Sequence, residues 1–214
     1  MSILCTVIIT RRFPSGSKNL FLCVFLRRPG NNGGDGLVAA RHLYHFGFES
    51  TVVYPKRSTK THFINLVQQL EDLNIPILDE IGIPVNKTSD AKHDIIVDAI
   101  FGFSFRGSAP REPFATAITQ MIQMQKEQHS LLVSVDVPSS WDVNGGDLSG
   151  AGFKPDVLIS LTAPKLSAKK FEGRHFVGGR FLPPGLAEKY GIKMPPVSIS
   201  TCSNIFVICK SRGW

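Results

Sequence analysis

Long apolar runs are missing from this sequence, and cysteine is scarce. The two longest apolar stretches, 3–10 and 20–26, have the length of β-strands, whereas a membrane-spanning helix needs roughly 18–20 apolar residues. We therefore expect a protein that does not span a membrane. The four cysteines are Cys5, Cys23, Cys202 and Cys209. Their spacing matches no C-x-x-C zinc or redox pattern, so we interpret them as ordinary thiols in a reducing compartment.

Acidic residues are absent from the first 34 positions, and the first acid is Asp35. The net charge of the chain is +7, and much of it lies in this N-terminal segment, so the rest of the chain is close to neutral. Nucleic-acid-binding proteins usually spread basic residues along a binding face, so we expect no nucleic-acid partner. Arg11 and Arg12 follow the first apolar stretch instead of preceding it, which does not support a secretory signal peptide. We predict a mitochondrial and/or cytoplasmic location.

Strand-like and helix-like segments alternate along the chain. Strands are predicted at 20–26, 51–54, 75–78, 94–100, 131–137, 157–161 and 176–181. Helices are predicted at 37–46, 63–70, 113–122 and 185–190. This alternation is typical of an α/β protein with a mostly parallel sheet covered on both faces. In such sheets ligands bind outside the carboxyl ends of the strands.

A glycine-rich segment, PGNNGGDG at 29–36, lies between the first predicted strand and the first predicted helix. Glycine allows the backbone to approach a ligand closely, and the N–H groups at a helix start favour an anion such as a diphosphate. The segment is neither a Walker A loop nor G-x-G-x-x-G. A plain turn would account for one or two glycines, but not for two asparagines and an aspartate beside them. The pattern favours a ligand-binding loop.

Two further loops follow predicted strands that end near an acid. Asp98 precedes the segment 102–108, GFSFRGS, and Asp136 precedes the segment 138–142, PSSWD. Either acid, taken alone, is also explained as a hydrogen-bonded or capping residue, and Ser139 as an ordinary turn residue. Three such loops at one edge of a sheet favour a site. The oxygen atoms of Asn32, Asp98 and Ser139 suit a hard cation.

A zinc site is not expected. The closest histidine pair, His42 and His45, is spaced i, i+3, and no H-E-x-x-H motif occurs.

Six segments carry a resemblance to a known family. In chain order they are PGNNGGDGLVAARHL, VVYPKR, VDAIFGFSFRG with REPF, SVDVPSSWDV, KPDVLISLTAPK and GGRFLPP. Their order and spacing resemble the NAD(P)H-hydrate epimerases, the YjeF N-terminal domain family. The resemblance implies a Rossmann-like three-layer α/β/α sandwich at 29–196, between an atypical basic segment at 1–28 and a divergent tail at 197–214. It also implies epimerisation of hydrated NADH and NADPH (NADHX and NADPHX), one potassium ion per subunit and a homodimer.

The family's functional residues fall on matching positions of this chain. The resemblance implies a first substrate-binding group of Asn31, Asn32, Gly33, Gly34 and Asp35. It implies a second group of Gly102, Phe103, Ser104, Phe105, Arg106, Gly107 and Ser108, together with Asp136. The implied potassium ligands are Asn32, Asp98 and Ser139. Asp136 is our candidate acid–base catalyst, because it follows a strand at the ligand edge.

An alternative to catalysis is also open. Animal members of the family are also called apolipoprotein A-I-binding proteins. The alternative is therefore a catalytically impaired binding protein with an apolipoprotein A-I-type partner.

Overall fold

The sheet consists of parallel strands in the computed structural model, which describes residues 21–26, 31–79, 93–105, 109–178 and 183–191. Within these ranges the strands are β1 (Phe21–Leu26), β2 (Glu49–Val53), β3 (Ile77–Leu78), β4 (Ile95–Ala99), β5 (Leu131–Val135), β6 (Val157–Leu161) and β7 (Arg174–Gly178). Their order in the sheet is β3-β2-β1-β4-β5-β6-β7. The order reverses between β1 and β4, which is the switch point at which doubly wound sheets bind ligands.

Helices connect the strands and cover the sheet. They are α1 (Asn31–His45), α2 (Thr61–Glu71), α3 (Phe114–Glu127) and α4 (Pro184–Lys189), with short 3-10 helices at Gly102–Ser104 and Leu166–Lys170. Among the described residues, none of these helices is long and apolar enough to cross a membrane.

Both faces of the sheet are buried, as strand β4 illustrates. Val97 belongs to the apolar cluster shared with α1 and α2, whereas its neighbour Ile96 belongs to the cluster shared with α3. Successive side chains of a strand point to opposite faces. The alternation therefore places helices above and below one sheet, and the predicted three-layer α/β/α sandwich is confirmed.

The glycine-rich segment differs from its prediction as a loop. Residues 31–36 form the first turns of α1, so this helix begins six residues before the predicted start at 37. Close packing explains one of the glycines: a Cβ at Gly34 would lie 3.2 Å from Cε1 of Phe63 in α2. Helix packing therefore outweighs the low helix propensity of glycine here.

Some predicted features lie outside the described residues. These are the basic segment up to position 20, the tail from 197 and the end of the predicted strand 176–181. The described part of that strand, β7, spans Arg174–Gly178. The domain boundaries at 28 and 196 therefore stay predictions.

Candidate active site

Asp98 is a fully buried carboxylate at the carboxyl end of β4. Two hydroxyl groups donate hydrogen bonds to it, that of Ser134 at 2.7 Å and that of Ser139. The backbone N–H groups of Ser139 and Ile100 donate at 2.9 and 3.2 Å. These four donors hold the carboxylate in one orientation between β4 and the loop after β5.

Burial raises the pKa of Asp98, because the protein interior disfavours the charged form. The hydrogen bonds from Ser139 and Ser134 act in the opposite direction. A cation beside Asp98 would favour the ionised carboxylate further, since opposite charges stabilise each other strongly away from water.

Asn32 supplies an uncommitted polar group nearby. Its amide atoms Oδ1 and Nδ2 are buried and have no hydrogen-bond partner among the described residues. The side chain packs against Gly102, where a Cβ would lie 2.8 Å from Cγ of Asn32. The residue before that glycine, Phe101, donates its N–H to Oγ of Ser139 at 3.3 Å. Adjacent residues therefore connect Asn32 to Ser139 and, through it, to Asp98.

These side chains fit the potassium ion that the family resemblance implies. Asn32, Asp98 and Ser139 offer amide, carboxylate and hydroxyl oxygens, which are the ligands of hard cations. A buried amide without a partner is costly unless something binds it. Across the described ranges, no group of three or more His, Cys, Asp or Glu side chains is arranged to hold a metal.

A cleft of about 560 Å³ opens at the same edge of the sheet. Its lining residues are Asn32, Asp35, Phe103, Asp136 and the segment 161–165. Pockets of roughly 300–1,000 Å³ suit small-molecule ligands. The structure thus brings together the start of α1, the turn after β4 and the ends of β5 and β6.

Asp136 is fixed against the wall of this cleft. Its φ of 71° is uncommon for a residue other than glycine. One carboxylate oxygen, Oδ2, accepts the N–H of Phe103 at 2.7 Å. The other, Oδ1, forms an ion pair with Nζ of Lys165. Both oxygens therefore have fixed partners.

Lys165 is a site residue that was not singled out from the sequence. Besides its ion pair with Asp136, its Nζ donates to the carbonyl oxygen of Leu161 at 2.9 Å. Its side chain is only 19% exposed. Lys165 follows β6 at the ligand edge of the sheet, and this position in the sequence could have identified it as a candidate site residue. A lysine in a loop is ordinarily solvated, however, so the signal is weak.

Asp35 faces the same cleft from α1. Burial raises its pKa to about 6, and the negative charge of Asp136 acts in the same direction. A carboxyl group with this pKa exchanges a proton near neutral pH, as an acid–base catalyst must.

The second predicted substrate-binding group divides between the cleft and the core. Phe103 lines the cleft and is 57% exposed. Phe105 is buried instead, with its ring centroid 4.6 Å from that of Phe101, in the apolar cluster beneath α3. Gly102 begins the turn with a φ of 61°.

The remaining predicted substrate-binding residues are buried in α1, described by their backbone alone, or outside the described residues. Gly33 and Gly34 are buried within α1. Arg106, Gly107 and Ser108 lie outside the described residues. For Asn31 and Ser104 the structure describes the backbone alone.

The fold and the cleft define a Rossmann-like α/β protein with a ligand site at the switch point of its sheet. Within that class, the chain belongs to the family described as YjeF-related protein N-terminus, which matches residues 3–167.

Relatives from several organisms share about half of the aligned sequence. The NAD(P)H-hydrate epimerase of Puccinia graminis f. sp. tritici is 51% identical over 168 residues, which cover 78% of this chain and 66% of that protein. The NAD(P)H-hydrate epimerase of Fusarium vanettenii is 51% identical, with 85% and 72% covered. Pyridoxine/pyridoxamine 5'-phosphate oxidase 1, chloroplastic, of Arabidopsis thaliana is 51% identical over 173 residues, or 78% of this chain. The chain spans 32% of that longer protein.

A solved structure agrees with the observed fold. The crystal structure of the yeast protein ynu0 superposes with a TM-score of 0.81 at 39% sequence identity. The match covers 94% of this chain and 85% of the yeast chain.

Proposed function

We propose that this protein is an NAD(P)H-hydrate epimerase, which interconverts the R and S forms of NADHX and NADPHX at C6 of the nicotinamide ring. The observation that carries this proposal is the meeting of Asp35, Asp136 and Lys165 in one cleft at the switch point of the sheet. The names of the fungal relatives support this choice of substrate.

The cleft suits the two ends of a dinucleotide. The N–H groups of the first four residues of α1, 31–34, have no acceptor within the helix and favour a diphosphate. Leu161, Ala163 and Pro164 line the cleft beside the exposed ring of Phe103. These groups offer an apolar surface to a reduced nicotinamide ring.

Epimerisation requires the hydroxyl on C6 to leave and return on the other face of the ring. Loss of water leaves an iminium ion between C6 and the ring nitrogen N1, and water then adds to the opposite face. Both steps need proton transfer, for which Asp136 is the candidate predicted from the sequence. General acid–base catalysis of this kind contributes about 10²–10⁴-fold to the rate.

Potassium is the proposed cofactor, held by Asn32, Asp98 and Ser139. When bound, it would supply positive charge that offsets the buried carboxylate and the substrate phosphates. The buried amide of Asn32, which has no hydrogen-bond partner in the described part of the chain, supports this assignment.

The proposed activity is tested with one purified epimer of NADHX. The full chain is expected to convert it to the equilibrium mixture, followed by chromatography that separates the epimers, with the uncatalysed rate subtracted. Asp136→Asn should slow conversion while still binding ADP-ribose, a fragment without the reacting ring. A wild-type rate equal to the uncatalysed rate would rule out the activity, and normal turnover by Asp136→Asn would remove Asp136 from catalysis.

Assembly and location rest on the family resemblance and the N-terminal sequence. The homodimer, the apolipoprotein A-I-type partner and the mitochondrial or cytoplasmic location stay predictions. Light scattering coupled to size exclusion tests the dimer directly.

A further inference from the structure

Lys165 places an ammonium group at the cleft, and one of its three hydrogens has no acceptor among the described residues. An ammonium group has three N–H donors. Two of them meet acceptors among the described residues, one at Oδ1 of Asp136 and one at the carbonyl oxygen of Leu161. Lys165 lines the cleft and its side chain is 19% exposed. The third N–H is therefore left for a ligand in the cleft.

The hydrogen-bond partners of Asp136 indicate which side chain of the Asp136–Lys165 pair can donate a proton. Its oxygens accept from Nζ of Lys165 and from the N–H of Phe103, so Asp136 serves as an acceptor on both sides. An ionised carboxylate has no proton to donate. A leaving hydroxyl group needs a donor, and the ammonium of the pair is the member that carries protons.

We infer that Lys165 is a catalytic residue that protonates the leaving hydroxyl on C6, and that Asp136 is the positioning residue that holds its ammonium group. This inference rests on the proposed function. It assigns the proton transfer to a side chain that was not among the predicted site residues, although the segment KPDVLISLTAPK ends with it.

The protons and electrons of the reaction balance without an oxidant or reductant. The C6–O bond breaks as the lone pair of N1 forms the C6=N1 bond, and the Lys165 ammonium gives its proton to the departing oxygen, releasing water. A water molecule then forms a new C6–O bond on the opposite face and gives its proton to Asp35, the second carboxylate at the cleft. Asp35 returns that proton to solvent, and solvent reprotonates the amine of Lys165.

Another role for Lys165 would be to anchor the substrate diphosphate. Its charge, however, is already opposed by the carboxylate of Asp136 in a direct ion pair. The N-terminus of α1 provides a separate anion-binding group in the same cleft. The two roles predict different kinetics: an anchor affects binding, whereas a proton donor affects turnover.

The test compares Lys165→Ala and Lys165→Gln in the full chain, using one pure NADHX epimer and, separately, ADP-ribose. Both variants should lower kcat by about 10²–10⁴-fold. Their ADP-ribose affinity should stay within about threefold of wild type. Methylammonium should restore part of the Lys165→Ala rate, and tetramethylammonium, which has no N–H, should not.

Lys169→Ala is the matched control, because it removes an exposed lysine from the neighbouring 3-10 helix and should leave turnover unchanged. The side-chain amide in Lys165→Gln can still donate hydrogen bonds to Asp136 and Leu161. This variant therefore provides the test if Lys165→Ala fails to fold. A kcat within threefold of wild type in Lys165→Gln overturns the inference, as does a loss confined to ADP-ribose affinity. If wild type itself converts no epimer, the proposed function fails instead.

Discussion

At the scale of single residues, the cleft joins three ionisable side chains that are far apart in the chain. Asp35 comes from α1, Asp136 follows β5, and Lys165 follows β6. Their environments differ, since Asp136 is ion-paired to Lys165 whereas burial dominates the pKa of Asp35. Titratable side chains that meet in one cleft but have different environments are typical of sites for acid–base chemistry.

The raised pKa of Asp35 predicts a pH-dependent effect of Asp35→Asn on stability. The folded-state pKa is about 6 against an ordinary 3.8, so the fold favours the protonated form. The contribution of Asp35 to stability is therefore greatest below pH 3.8 and is lost as pH rises through about 6. Asparagine cannot ionise, so Asp35→Asn should match wild type near pH 4 and be more stable above pH 6.

With screening by solvent allowed for, Asp35→Asn should exceed wild type in stability above pH 6 by about 1 kcal/mol, or roughly 2–4 °C in Tm. Thermal melts of both proteins from pH 4 to pH 8 measure it. Glu188→Gln, which replaces an exposed acid on α4 by its amide, is the control for removing one carboxylate outside the cleft. A Tm difference that does not rise between pH 4 and pH 7 contradicts the assignment.

At the scale of elements, the local sequence pattern predicts the bounds of helices and strands correctly where tertiary packing favours the same structure. Strand β6 has the predicted bounds, and α3 begins at the residue after Pro113, as its sequence indicates. The start of α1 could not be predicted in this way, because glycines and asparagines at 31–36 favour a loop locally. Within this helical segment Gly34 packs closely against Phe63, a residue nearly thirty positions later, and local sequence does not report such a contact.

The same limit applies to the turn after β4. Phe103 and Phe105 stand two residues apart in one aromatic loop, and no local pattern separates their roles. Packing does so, because Phe105 joins Phe101 in the core while Phe103 is left at the cleft. The position of Lys165 beside Asp136 is likewise a product of the sheet order.

Gly102 is predicted to be required at this turn for two reasons. Its φ is 61°, which costs other residues about 1–2 kcal/mol, and an added Cβ would lie 2.8 Å from Cγ of Asn32. Gly102→Ala should therefore destabilise the fold and also displace Asn32, lowering ADP-ribose affinity by about tenfold, equivalent to 1.4 kcal/mol.

Gly150→Ala separates these two effects. Gly150 has a φ of 63°, but a Cβ there would meet nothing within 4 Å. This variant should lose stability from backbone strain alone and keep its ligand affinity. Isothermal titration calorimetry with ADP-ribose and thermal melts measure the two quantities. Equal ligand affinities in the two variants would mean that the contact with Asn32 is unimportant.

At the scale of the whole molecule, the parallel sheet decides which residues meet. Parallel strands place all their carboxyl ends at one edge, so the start of α1 at 31–36 and the segments 98–105, 136–140 and 161–165 converge although they are scattered along the chain. The edge could be predicted from the sequence alone, since only the alternation of strands and helices is needed. The pairing of side chains within it could not, because it depends on strand order and on distances of a few ångströms.

A cation bound by residues from three of these segments should stabilise the whole fold. A ligand that binds only the folded state adds about 2.7 kcal/mol at one hundred times its dissociation constant. Potassium chloride should therefore raise the Tm above that in choline chloride at equal ionic strength. Asn32→Ala and Asp98→Ala should abolish this difference, because each removes a proposed ligand.

Ser134→Ala is the matched control for that experiment. Ser134 donates to Oδ2 of Asp98 at 2.7 Å but is not a proposed ligand. Its loss leaves a buried carboxylate short of one donor, which should lower the Tm in both salts by a similar amount. The response to potassium should survive in Ser134→Ala, since the three ligand oxygens remain. If Asp98→Ala responds to potassium as strongly as wild type does, the ion binds elsewhere, and the unpartnered amide of Asn32 must serve the substrate instead.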